Sequence, residues 1–261
     1  METLLLSDYE KYYLIKATKY QSRVDGRFCD EYRQISCDTN FLKHTDGSSK
    51  VSIGNTSVMT TVKFSMVKAN SIINKDGGIK LQVTWSPTAT NKFQLRTAQD
   101  FAEFLSGVLQ NTYMHNNSFI NSKLLSVNDG TLNWTILVDV LVLANDGNVL
   151  DASSISIFLA LASLKIPDSL AEYLKDEILI KKELIPIFVT CHKVGHSILV
   201  DTGREEEACS LASLSMAMIE DYTCVNMIQE GCGSLTPDSL VKMSKMSTKI
   251  CKLLRENILK I

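Results

Sequence analysis

Residues 134–143 form a nearly continuous apolar run broken by Asp139. A segment of that length and β-branched content reads as a central strand, and burial on both faces is expected of it. Around it the rhythm of the chain switches repeatedly between period two and period 3.6. Residues 31–41 read as a strand, Gly47-Ser48-Ser49 as a turn, and 50–53 as a strand again. Gly54-Asn55 then marks a tight hairpin turn, because both residue types tolerate positive φ. The β-branched run 57–66 returns as the next strand, Asp76-Gly77-Gly78 turns the chain, and 79–85 alternates at period two.

Helical spacing replaces this pattern at 97–114. Phe101, Phe104, Leu105, Val108 and Leu109 recur at three- and four-residue steps behind Thr97, a cap residue. An apolar helix is expected from Asp151 to about Leu164, stopped by Pro167. At the N-terminus Leu6, Tyr9, Tyr13, Lys16 and Tyr20 repeat at the same steps, predicting a helix that lays this face on the body of the protein.

The second half repeats the theme. Residues 186–193, 197–201, 208–218 and 222–229 read as four strands. Thr236 caps and Pro237 opens a last helix, with Leu240, Met243, Met246, Ile250, Leu253 and Leu254 on one stripe and Lys242, Lys245, Lys249 and Lys252 opposite. Each half is thus several strands followed by long helices. The fold class is α+β: two similar lobes of mixed or antiparallel sheet packed on helices. The expected division is an N-terminal helix at 1–20, a first lobe at 21–185 and a second at 186–261, in one continuous globular unit.

Charge and cysteine usage exclude several function classes. With 27 basic against 29 acidic residues, the formal charge is −2, so no global positive field gathers phosphates. With 45% hydrophobic residues the chain can offset the entropy cost of ordering itself, which excludes a disordered protein. No stretch approaches the roughly 20 apolar residues needed to cross a bilayer, and the N-terminus is too soon charged for a secretory signal. Seven cysteines, widely scattered, read neither as a disulfide framework nor as a zinc site. A reducing, intracellular compartment is expected, with no metal, no cofactor and no membrane partner.

The acidic turn from Asp201 to Glu207 is the first candidate for chemistry. Paired carboxylates can hold a divalent cation or act as general acid and base; a solvated hairpin is the plainer reading. The lysine row of the last helix could touch RNA, but amphipathic spacing alone puts Lys on a solvent face. Lys92 and Arg96 are matched by Asp100 and Glu103. No nucleophile elbow, Walker loop or dinucleotide fingerprint is present, and His192 beside Cys191 reads as a core histidine. The residues alone therefore reach an α+β domain without a convincing active site.

Several segments resemble a known family, the RNase PH-like ring subunits of the RNA exosome. Arg23-Val24-Asp25-Gly26-Arg27, followed by Tyr32-Arg33, is similar to the family's opening Arg-x-Asp-Gly-Arg motif. Residues 47–58 resemble its first hairpin, and 134–152 its central strand and following helix. Residues 206–214 and 233–238 are similar to one particular subunit type of that ring.

The resemblance implies a hexameric ring of related subunits arranged as heterodimers, cap subunits with RNA-binding domains, and RNA threaded through a central channel. It implies work in ribosomal RNA maturation and mRNA turnover, in nucleus, nucleolus and cytoplasm. Phosphorolytic members carry two aspartates six positions apart; Asp201 matches the first, and Glu207 stands at the second. They also carry successive arginines on the helix matching 95–110, where this chain offers only Arg96. Phosphorolysis brings inorganic phosphate against a polyanion, so cationic side chains must offset the repulsion. Glu207 adds a methylene where misplacement of about 1 Å matters. The expectation is a catalytically inactive structural subunit, with Asp201 and Glu207 as a degenerate site and Lys92 and Arg96 near passing RNA. The competing expectation is an active phosphorolytic exoribonuclease using inorganic phosphate. A third class, a metabolite enzyme, needs a deep apolar pocket that no residues demand.

Overall fold

The computed structural model describes residues 6–20, 23–68, 78–89, 95–115, 119–127, 132–167 and 179–258. In chain order the elements are α1 (Asp8–Lys19), β1 (Ile35–Thr39), β2 (Gly47–Ile53), β3 (Thr56–Lys68), β4 (Gly78–Trp85), α2 (Leu95–His115), β5 (Ser126–Val127), β6 (Leu132–Ala144) and α3 (Val149–Ala162). The second lobe adds β7 (Ile187–Val194), β8 (Ser197–Val200), α4 (Arg204–Ala208), β9 (Ala212–Met218), β10 (Cys224–Glu230) and α5 (Pro237–Ile258).

The first sheet runs β1-β2-β3-β6-β4, with β5 also on β6; only β4 lies parallel to β6. The second sheet is antiparallel throughout, in the order β10-β9-β7-β8. Mixed and antiparallel sheets packed on helices are the α+β architecture expected.

Burial on β6 departs from expectation. Trp134, Ile136, Val138, Val140 and Val142 are buried, whereas Asp139 on the other face is exposed and Leu137 only half-buried. Among the described residues, helices α2 and α3 pack on this sheet, and the face that carries Asp139 stays open. Leu137 stands in register between Lys63 and Lys80, whose aliphatic stems suit an apolar neighbour at a wet surface.

The helix that is covered all round is α3. Thirteen of its 14 residues are buried, because it lies between the two sheets, touching β2, β3 and β7. Its polar residues other than Ser153 find partners inside: Ser49 Oγ donates to the Ser156 carbonyl at 2.6 Å. Asp151 accepts from the Tyr32 hydroxyl at 2.5 Å and from Thr190 at its N–H and hydroxyl.

Three local expectations are corrected. Gly47-Ser48-Ser49 belong to β2, paired with Val62, Thr61 and Thr60, and the chain turns before them. The acidic turn is not a solvated hairpin: α4 forms within it, and Asp201 and Glu206 are buried. In α1, Leu14 and Thr18 pack inward, while Tyr9, Tyr13, Lys16 and Tyr20 point to solvent. The stripe predicted to pack is the exposed one, because tyrosine and lysine keep helical spacing on either face.

Candidate functional site: a carboxylate clamp beside a small cavity

Asp201 follows β8 with a left-handed backbone, φ 44°. Its carboxylate is fully buried and ringed by donors from a segment 168 positions earlier. Arg33 binds it three times, through the backbone N–H at 2.7 Å, Nε at 2.9 Å and Nη2 at 2.8 Å. Arg27 Nη1 donates at 3.0 Å and Asn148 Nδ2 at 2.8 Å. Burial alone raises a carboxyl's pKa, but the Arg33 bonds and charge outweigh it and hold Asp201 below the ordinary range.

The neighbouring cations are similarly matched. Arg23 is buried in a two-point ion pair with Glu206 and also donates to the carbonyls of Val200 and Asp201. Arg27 pairs with Asp25, and Arg33 reaches Asp146. Three arginines therefore meet Asp25, Asp146, Asp201 and Glu206, which leaves no surplus positive charge in the clamp. No composition argument revealed this, because the partners are far apart in sequence.

Two glycines make the geometry possible. Gly54, φ 55°, opens the β2–β3 turn where a Cβ would meet Arg33 Cδ at 2.6 Å. Gly147, φ 86°, passes so close to the 202–204 loop that a Cβ would lie 2.6 Å from the Thr202 carbonyl oxygen. Asn148 follows in the left-handed region at φ 58° and starts α3.

Glu207, half-buried on α4, accepts the Asn148 N–H at 2.6 Å. Asn148 thus bridges the two carboxylates, its main chain on Glu207 and its side chain on Asp201. Burial pushes Glu207 up to about 7, against the lowering effect of the Asn148 N–H and Arg33. Beneath it, burial raises Asp151 to about 6 and lowers His192 to about 4, so His192 is neutral at pH 7.

Glu207 borders a cavity of ≈ 100 Å³. Trp85, Ala98, Phe101 and Leu105 form its apolar wall, and Arg204, His192, Thr190 and Ser215 add polar atoms. The first turns of α2 thus present Thr97, Ala98 and Phe101 to the cavity, and Trp85 meets Phe101 edge-on at 5.6 Å between centroids. Arg96 is exposed and does not line it. Lys92 lies outside the described residues. Among the described residues no cluster of three or more His, Cys, Asp or Glu could hold a metal ion, and no helix is long and apolar enough to cross a membrane.

Two lobes, each a sheet on helices, with a carboxylate clamp where the second meets the first, define the RNase PH class of fold. The chain belongs to that family: residues 31–167 match the 3′ exoribonuclease family, domain 1, and residues 185–250 match domain 2. It is similar to an exosome complex component Rrp42 from Methanocella arvoryzae, 27% identical over 97% of both chains. The counterpart from Sulfurisphaera tokodaii is 30% identical over 85% of this chain and 83% of that one. Among solved structures, a chain of the Archaeoglobus fulgidus exosome with RNA bound to the active site superposes with a TM-score of 0.86. That chain is 26% identical, over 96% of this chain and 98% of its own.

Proposed function

We propose that this protein is a non-catalytic ring subunit of an RNA exosome, which shapes the RNA path while other chains hydrolyse or phosphorolyse the RNA. The observation that carries this reading is the state of Asp201. In the position that the family resemblance marks as catalytic, the carboxylate is already engaged by Arg33, Arg27 and Asn148 of its own chain. A group held this way stabilises the fold and has little capacity left for a phosphate or a ribose. The α2 face adds to it, because Ala98 and Phe101 line the cavity where a phosphate would need cations.

The same reading makes the partners other RNase PH-like subunits, paired within a six-membered ring, with cap subunits above and RNA in the channel past Lys92 and Arg96. It extends to ribosomal RNA maturation and mRNA turnover in nucleus, nucleolus and cytoplasm.

A second reading, active phosphorolysis, draws on Glu207, whose carboxyl titrates near neutrality beside the cavity and so suits proton transfer. One experiment separates the two. Purified chain, alone and co-expressed with an RNase PH-like partner, is given uniformly labelled RNA and inorganic phosphate. The inert reading expects no nucleoside diphosphate from the chain alone, and complex activity unchanged by Glu207→Gln. Phosphate-dependent release by the chain alone, or its loss from the complex with Glu207→Gln, overturns it.

A further inference from the structure

Helix α1 carries a buried contact with exposed aromatic residues beside it. Leu14 is buried with Leu199, Val194 and Cys209, which fixes the helix on the second lobe. Flanking that contact, Tyr9, Tyr13 and Tyr20 are 88%, 65% and 73% exposed, an unusual amount of aromatic surface for one short helix and its C-cap. The helix itself is well built: Ser7 and Glu10 form a reciprocal capping box, so the tyrosines stand on a fixed platform. Between α1 and α4 runs a groove of ≈ 310 Å³, lined by Leu6, Tyr9, Tyr13, Leu14 and Val24, with Glu10 and Glu205 at its walls.

We propose that this groove docks a segment of a partner protein that carries an apolar anchor next to a basic side chain. Tyrosine supplies rigid, amphipathic contact area at low entropy cost, and the two glutamates match a cation. Single-stranded RNA fits less well. Bases could stack on the rings, but the phosphates would then lie against Glu10 and Glu205, and Lys16 is turned away over the Tyr12 ring at 5.7 Å. A second copy of the chain fits poorly too, since two like acidic grooves would repel. The proposal concerns a surface distinct from the clamp and does not depend on catalytic silence.

The test is selection of random dodecapeptides displayed on phage against the full chain and, in parallel, against a Tyr9→Ala/Tyr13→Ala variant. Both residues are exposed, so the variant keeps the fold, which an unchanged melting curve verifies. The expected result is enrichment of peptides with an aromatic or aliphatic anchor and Lys or Arg, absent from the variant selection. A selected peptide then binds a Glu205→Lys variant about tenfold more weakly in fluorescence anisotropy. No enrichment on the wild-type chain, equal enrichment on both proteins, or acidic peptides would overturn the proposal. So would oligoadenylate binding to the wild-type chain that the tyrosine variant loses, which assigns the surface to RNA instead.

Discussion

Arg33 closes on Asp201 with three donors, one from its main chain and two from its guanidinium, at 2.7, 2.9 and 2.8 Å. The segment before β1 is thereby bound to the end of β8, and the arginine also donates to the carbonyls of Asp146 and Gly147. One side chain joins the N-terminal stretch, the start of α3 and the second sheet.

Removing that side chain leaves a buried carboxylate short of its main partner. Breaking a buried pair from one side costs about 3–5 kcal/mol, because the remaining charge is uncompensated. Arg33→Met is therefore expected to lower the urea midpoint steeply. Lys249→Ala, which breaks an exposed pair with Asp30 at 2.9 Å, is the contrast and should cost under about 1 kcal/mol. Equal midpoints for the two variants would show that the clamp does not hold the lobes.

Gly147→Ala probes the same junction from the backbone side. A Cβ there meets the Thr202 carbonyl oxygen and the Arg204 nitrogen at 2.6 and 2.8 Å, both main-chain atoms that cannot rotate away. Positive φ adds its own penalty for a non-glycine residue. Together these predict a loss of about 2–4 kcal/mol, read as a fall in melting temperature. A variant as stable as the parent would mean that the 202–204 loop yields freely.

Stability should also carry the signature of Glu207. Its folded pKa of about 7 lies above the ordinary value of 4.5, so the folded state holds this proton more tightly. The resulting contribution is complete below 4.5 and lost as pH rises through 7. Glu207→Gln removes this dependence, so the variant should gain on the parent across that window, by on the order of 1–3 kcal/mol. Asp151, Asp201 and His192 titrate in both proteins and largely cancel in the difference. Unfolding curves at pH 5 and pH 7.5 check it; a difference that is flat with pH would place Glu207 in the ordinary carboxylate range.

How far the sequence predicted all this depends on the range of the interaction concerned. Helix α5 and the hairpin at Gly54 follow from local capping and turn chemistry, and the periodicity finds α2, although that helix begins at Leu95 and holds Thr97, the expected cap, within it. The clamp does not follow. Arg23, Arg27 and Arg33 sit in a motif legible as a family signature, yet nothing local says that their charges are spent on Glu206 and Asp201, 168 to 183 positions away. The acidic run 201–207 suits a water-facing hairpin as well as a carboxylate site for the same reason, since its buried partners lie outside any window. Asn148 gave no signal at all, because its role rests on a left-handed backbone and on bridging two loops. For α1 the period was legible but the face was not, as tyrosine at helical spacing suits a core and a docking surface alike.

The proposed catalytic silence has two candidate causes, missing cations on α2 and carboxylates already committed to the fold, and adding charge separates them. Thr97 is exposed at the rim of the cavity bordered by Glu207, so Thr97→Arg places a cation there without disturbing the core. One such charge near the surface contributes about 1 kcal/mol at low salt, a roughly fivefold gain in affinity that should vanish toward high ionic strength. Oligoadenylate should therefore bind the variant about five times more tightly in 50 mM salt, yet no nucleoside diphosphate should form with phosphate present, because Asp201 stays bound to Arg33. If the added arginine alone were to start phosphorolysis, the clamp would be compatible with chemistry, and silence would rest on charge alone.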